Sequence, residues 1–438
     1  MSESYKGMQY AKNYQALSRS CLAQVPQVIL SRRSGIVGII VPEKLWTSLI
    51  ICLFLLSAEG LSLFPLPAVQ LRNLSNMKRI IEYIMLSSVL MACSSNQELL
   101  LLVGTYTDTD SEGLYSLRFN QETGECSPLS VTDIANPSFL AVSDDNSIVY
   151  AVTEQSQDAA VSALSLDVAT GRMEVLNSQP ALGMSPCHIM IAGKDVVVSN
   201  YTSGSLAVFP LAGDGTLMPG TSVEFSESGP NTVRQASSHI HSSQLSPDGK
   251  HLYVIDLGGD CVHSYGVEDG RVLLSDYSRF SLAPGEGPRH FAYSADGRFL
   301  YLLTELGGNV VSFEIGADGG LSQVGSFEAD SLHAAGSADI HLSPDGKFIY
   351  ASNRLQGDGI AIFRQDATSG ALEKVGYQNT GIHPRNFAIT PNGRYLLAAC
   401  RDSNLIQVFE RDPETGLLTD TGRNIDIPHP VCVILRSK

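Results

Sequence analysis

From residue 99 onward the apolar positions fall in short runs, some alternating with polar residues and some continuous, that meet in pairs at Asp-Gly, Asn-Gly or Thr-Gly. Paired runs joined by a glycine turn predict β-hairpins, because glycine accepts the positive φ that such turns require. No long stretch carries helical periodicity, which excludes helical solenoids.

Two hairpin units recur. SPDGKHLYVID from Ser246 returns as SADGRFLYLLTE from Ser294, SPDGKFIYASNR from Ser343 and TPNGRYLLAACR from Thr390, with weaker copies from Ser143 and Ala192. A second unit lies between them and has seven copies, beginning at 113, 160, 205, 261, 309, 359 and 404. Two hairpins in about 48 residues give four strands per repeat, the pattern of a β-propeller whose sheets pack radially. The expected fold is therefore all-β, a seven-bladed propeller over residues 99–438. The missing seventh copy of the first unit predicts a ring closed by both ends, with HPVCVILRS (429–437) beside LLLLVGTYT (99–107).

This topology sorts the polar residues. If the Pro-Asp-Gly turns lie on one face of the disc, then the residues entering each first strand and those ending each second strand meet on the other face. Asp248, Asp296, Asp345 and Asn392 fall in the turns and are expected to be turn formers. The opposite end of the channel gathers His188, His239, His241, His290, His341, Arg289 and Arg385 from the first set, and Glu305 and Arg354 from the second. Seven of the ten histidines lie in these connections, more than packing needs. Imidazole, guanidinium and carboxylate groups in one concavity are the equipment for acid–base work on an anionic ester. No Ser nucleophile elbow, zinc helix or phosphate-cradling Gly-Lys loop is present, and neither a metal nor another cofactor is expected.

Composition narrows the partners. The chain has 438 residues and net charge −16; the first 93 hold nine Lys/Arg against four Asp/Glu, leaving 20 against 41 for the rest. A domain that acidic repels nucleic acid. Five cysteines follow Cys93, an odd number with no CxxC pair, which argues against a disulfide framework and a structural zinc site.

The N-terminal part is different in kind. Residues 45–58, LWTSLIICLFLLSA, are too short to predict a membrane span. MKRIIEYIMLSSVLMAC, 77–93, reads as a start, a basic pair, an apolar stretch interrupted by Glu82, and a signal-peptide end. Leu90-Met91-Ala92-Cys93 resembles the lipobox of bacterial lipoproteins, in which Cys93 becomes the lipid-modified N-terminus. Residues 1–76 then form an upstream mis-started region or an anchor, and 94–98 a linker. A lipidated chain would sit in the cell envelope, and an unlipidated one in the cytoplasm. The only membrane contact expected is that anchor, and the sequence leaves the oligomeric state open.

GTYT at 104, NYTSGSLAVF at 200, HIH at 239, PGEGPRHFAYSADGRFLYLLTEL from 284, IHLSPDGKFIYASNR from 340 and HPRNFAITPNGRYLLAA from 383 together resemble the seven-bladed propeller lactonases. That family contains 6-phosphogluconolactonases and is similar to the fungal carboxymuconate cycloisomerases. The resemblance implies a site of His241, Arg289, Glu305 and Arg354, with His188, His239, His290, His341 and Arg385 as further substrate contacts. It implies a sugar-type lactone as substrate, its acidic group held by Arg289 and Arg354, while Glu305 or His241 deprotonates water. Two alternatives stand beside it: a non-catalytic envelope propeller that binds carbohydrate or protein, and a muconate-type cycloisomerase.

Overall fold

The computed structural model describes residues 97–437 and, before them, only the backbone of an antiparallel pair, Leu30–Arg33 with Ile36–Ile39. Chain contacts separate the units Met1–Glu82 and Tyr83–Lys438. The segment 77–93 and Cys93 lie outside the described residues.

Residues 97–437 fold into seven four-stranded antiparallel sheets. Six are continuous in sequence, and we number them as blades 1 to 6; their innermost strands are Leu140–Val142, Pro186–Ala192, Ile240–Leu245, Pro288–Tyr293, Ser337–Leu342 and Pro384–Ile389. Blade 7 takes its innermost strand, Pro430–Ser437, from the C-terminus and its next three, Glu98–Thr105, Leu114–Asn120 and Cys126–Thr132, from the other end of the domain. The ring closes as its missing repeat predicts, with Leu99 opposite Ser437 and Gly104 opposite Cys432. The described residues hold no helix long and apolar enough to cross a membrane.

The second strand of each blade shows why the apolar runs are continuous. Its two faces pack against different neighbours, so every position is interior, and the period of two divides the residues rather than exposing half of them. Leu99, Leu101 and Val103 join the cluster shared with blade 6, whereas Leu100 and Leu102 join the one shared with blade 1. Leu252 and Val254 face blade 2, and Tyr253 and Ile255 face blade 4. Seven such clusters fill the seven junctions. The outermost strands, by contrast, alternate exposed and half-buried positions, as in Leu321–Glu328.

A hydroxyl reinforces several junctions. Tyr150, Tyr253 and Tyr350 on second strands donate to the carbonyls of Gly215, Gly319 and Gly416, in the outer turns of the following blades, at 2.7, 2.8 and 2.7 Å. Tyr301 donates to Gln365 Oε1 at 2.6 Å in the same way. At the near turns, Ser246 donates to Asp248 at 2.7 Å, Asp248 accepts the Lys250 amide, and Gly249 takes φ +71. The turns at Asp296, Asp345 and Asn392 repeat this arrangement, so these residues are turn formers. Blade 1 has an Asn at the left-handed position, Asn146 at φ 56, and an inner strand of only three residues, which explains its weak sequence signature.

Removing one inter-blade hydroxyl leaves a turn carbonyl without its donor. Tyr350→Phe is expected to lower stability by about 1–2 kcal/mol in denaturant unfolding; an unchanged midpoint would show that the bond contributes nothing net.

Candidate active site

The residues that enter the channel do so through a repeated distortion. Five inner strands are entered through a left-handed residue followed by proline: Asn136, Ser185, Gly287, His383 and His429 carry φ of 43, 52, 56, 64 and 43°. Just beyond, the register with the second strand slips. Cys187, His241, Arg289 and Arg385 are each the extra residue of a bulge, and in blade 5 the slip spans Ala338 and Asp339. A bulge re-aims a side chain that regular alternation would send elsewhere. Its effect here is that two successive side chains, Arg289-His290 or Arg385-Asn386, both serve the channel.

The centre of the mouth is Glu305, which follows the second strand of blade 4 and is buried. Its Oε1 lies 2.5 Å from Arg234 Nη2, and its Oε2 lies 2.8 Å from Arg289 Nε and 3.2 Å from Arg354 Nη2. His241 Nε2 stands 4.0 Å from Oε2. Burial alone would raise the carboxyl pKa, but the guanidiniums of Arg354, Arg289 and Arg234 outweigh it and hold the group at about 2. A carboxylate so stabilised is a weak proton acceptor, which weighs against Glu305 in the role of base that the sequence left open to it. It anchors the arginines.

Arg289 and Arg354 are committed in the same way. Besides their ion pairs with Glu305, Arg289 donates to the Ala338 carbonyl, and Arg354 donates to Gly336 at 2.9 Å and to His383 Nε2 at 3.2 Å. Arg385 differs. Among the described residues it has no hydrogen-bond or ion-pair partner, and its guanidinium lies over the Tyr106 ring at 5.5 Å. Tyr106 in turn donates to Glu154 at 3.0 Å. The mouth therefore holds one unpaired cation, beside two arginines that share a carboxylate.

His241 is buried and neutral, because desolvation and the nearby Arg289 push its pKa well below the usual 6.5. Its Nδ1 faces Cys187 Sγ at 3.9 Å, and Tyr201 stands edge-on to it. His239 stacks on Tyr201 with ring centroids 4.4 Å apart and places Nδ1 2.9 Å from the Tyr201 carbonyl, so it braces that ring.

His188, His290 and His341 belong to a second, deeper group. They line a channel cavity of about 290 Å³ with Phe139 and Asp339, on the side of the Pro-Asp-Gly turns that Gln244 and Tyr293 also face. Asp339 Oδ1 is 2.8 Å from His290 Nδ1; its Oδ2 is 2.9 Å from His341 Nε2 and accepts from Asn386 Nδ2 at 2.6 Å. The two groups touch where His290 meets His241, centroids 5.2 Å apart. Thus the nine sequence candidates lie at one channel but on two levels. Arg234 was missed, because it sits in the irregular connection before blade 3 and belongs to no repeat; only its charge could have marked it.

The family model for the seven-bladed β-propeller lactonases matches residues 100–435. The chain belongs to that family. This lactonase, a carboxylic ester hydrolase, is 38% identical over 332 residues to a 6-phosphogluconolactonase of Formosa agariphila, covering 73% of this chain and 94% of that one. It is 34% identical over 340 residues to a 6-phosphogluconolactonase of Bacillus subtilis, covering 76% and 96%. Among solved structures, one from Bacteroides fragilis superposes with TM-score 0.76 at 49% identity, over 78% of this chain and 98% of that one. A periplasmic gluconolactonase of Pseudomonas aeruginosa superposes with TM-score 0.73 at 32% identity, over 77% and 99%.

The electrostatics of the lactonase's channel set its acid stability. His290 is lowered to about 4 and His383 to about 3, and His188 falls well below 6.5, each mainly by desolvation. With His241 these imidazoles are neutral when folded but gain protons near pH 6.5 when unfolded, so stability is full above that pH and drains as pH falls toward 4. His341 is raised by Asp339 and works in the opposite direction, one group against four. The unfolding free energy is expected to fall from pH 6.5 to 4 by at most about 1.4 kcal/mol per pH unit for each imidazole, read as a declining melting temperature. A flat profile across that range would show that the histidines charge in place.

Proposed function

We propose that the lactonase hydrolyses a sugar-type lactone carrying an anionic group, of the 6-phosphogluconolactone kind, at the arginine-rich mouth of its channel. The observation that carries this reading is the unpaired Arg385 guanidinium beside the Glu305-anchored arginines. A cation with no carboxylate at ion-pair distance among the described residues is matched to a phosphate or carboxylate from outside. Arg289 and Arg354, held at the same point, face the carbonyl oxygen as it gains negative charge in the tetrahedral intermediate. Their positions cost no reorganisation when the charge develops, because Glu305 has already set them. Proton transfer then falls to the neutral imidazoles of the channel, of which His241 stands next to the arginines.

The names of the relatives favour two substrate types, a phosphorylated lactone and gluconolactone, and the arginines favour the charged one. Lactone opening is read as acid release above the spontaneous rate, for 6-phosphogluconolactone, gluconolactone and muconolactones, with the full chain. His241→Ala is expected to lower kcat/KM by about 10²-fold or more. Arg385→Ala is expected to raise KM about tenfold or more for the phosphorylated lactone and to leave gluconolactone within about twofold, the loss of one charge-assisted contact. Equal effects on both substrates would exclude Arg385 as the anion's partner, and opening that ignores His241 would remove it from the chemistry.

The envelope location is a separate proposal, supported by the lipobox-like Leu90-Met91-Ala92-Cys93 and by likeness to a periplasmic gluconolactonase. Labelling of cells with an alkyne fatty acid is expected to tag the protein, and Cys93→Ser to abolish the tag; persistent labelling would move the anchor elsewhere.

A further inference from the structure

The deeper group contains an imidazole whose surroundings dictate its protonation state. Asp339 is buried and collects donors on both oxygens: His290 Nδ1, His341 Nε2, Asn386 Nδ2 and, at 3.2 Å, the Phe387 amide. Held below its usual pKa by the cation of His341 and the hydrogen bond of His290, it stays a carboxylate. A carboxylate facing His290 Nδ1 requires a proton on that nitrogen, which leaves Nε2 as a bare acceptor. That Nε2 is buried and has no hydrogen-bond partner. His188 Nδ1 and the Tyr293 hydroxyl, which border the same cavity, are buried and unpartnered as well. Three buried polar atoms without partners thus belong to residues that wall a cavity of about 290 Å³, which has room for water.

His241 has no comparable tether. Neither of its ring nitrogens has an oxygen or nitrogen partner within hydrogen-bond distance, so no contact selects its tautomer. The ring of His290 is fixed on three sides, by Asp339, by His241 and by the edge-on Phe139 at 5.9 Å.

We infer that the hydrolytic water reaches the lactone from the channel side and is deprotonated there by His290, oriented by Asp339, while the substrate occupies the arginine side. This rests on the lactonase reading of the mouth and names a second residue for it. As the water oxygen bonds to the carbonyl carbon, its proton passes to His290 Nε2, and the carbonyl electrons move onto oxygen, facing Arg289 and Arg354. Collapse re-forms the carbonyl and breaks the ring C–O bond, and the proton on Nε2 passes to the departing ring oxygen. The product is a hydroxy acid, and His290 returns to its neutral form. His241 serves the lactone as a hydrogen-bonding group, and Asp339 is a positioning residue.

The test uses steady-state kinetics on the lactone that the wild type opens best. His290→Gln is expected to lower kcat by about 10²-fold or more with KM within about twofold. Asp339→Asn, which preserves shape but removes the orienting charge, should lower kcat at least tenfold with KM likewise kept. His290→Gly should regain activity when imidazole is added, since the cavity admits the missing ring; a purely structural histidine gives no such saturable rescue. Circular dichroism and melting accompany each variant, and where His290→Gln does not fold, Asp339→Asn decides. A folded His290→Gln or Asp339→Asn that keeps kcat within about threefold overturns the inference while a His241-dependent wild type keeps the lactonase reading. A wild type that opens no lactone overturns both.

Discussion

Closure of the ring is the constraint on which the rest depends. Every blade is apolar on both faces, so a blade without neighbours would expose the clusters that now fill the junctions, and any gap would leave two such faces wet. The pairing of Pro430–Ser437 with Glu98–Thr105 removes that gap by making one blade from both ends of the domain. Burial is thus cooperative around the circle. Without it there is no channel, and without the channel the histidines and arginines scattered over more than a hundred and fifty residues have no common place.

The same constraint explains how a polar site survives in an apolar ring. Inner strands converge on the axis, where side chains of adjacent blades crowd, and a bulge at the mouth of blades 2 to 6 lets the strand deliver a further side chain without breaking its pairing downstream. Left-handed residues and prolines fix the entry angles. The distortions sit at the mouth, while the turns of blades 3 to 6 at the opposite face repeat one geometry. Regularity on one side carries stability; irregularity on the other carries chemistry.

Burying so much charge needs compensation, and the two levels solve the problem differently. At the mouth, one carboxylate gathers three guanidiniums and leaves a net positive charge with Arg385 unpaired. Below it, one carboxylate gathers imidazoles and amides and leaves bare acceptor nitrogens. The first arrangement suits an anion, the second water. Hydrolysis needs both, and the contact of His241 with His290 brings them within one ring of each other.

The repeat made the fold readable, since hairpin turns and apolar runs are local signals: blade number, strand order, closure, and the turn roles of Asp248, Asp296, Asp345 and Asn392 all followed from spacing. So did the collection of His241, Arg289, Glu305 and Arg385 at one channel, because position within a repeat maps onto position along the axis. Pairing inside the channel did not follow. That Glu305 is surrounded by arginines, that Arg385 rather than Arg289 or Arg354 is left without an ion pair, and that His290 and His341 share Asp339 one level down depend on distances across blades. Arg234 was invisible because an irregular connection carries no register. What the sequence by itself determined is therefore which residues come to the axis, since alternation and turn chemistry act between near neighbours. What only the tertiary structure decided is their charge states and partners, since electrostatic energies depend on separation and burial in space, which local pattern does not encode.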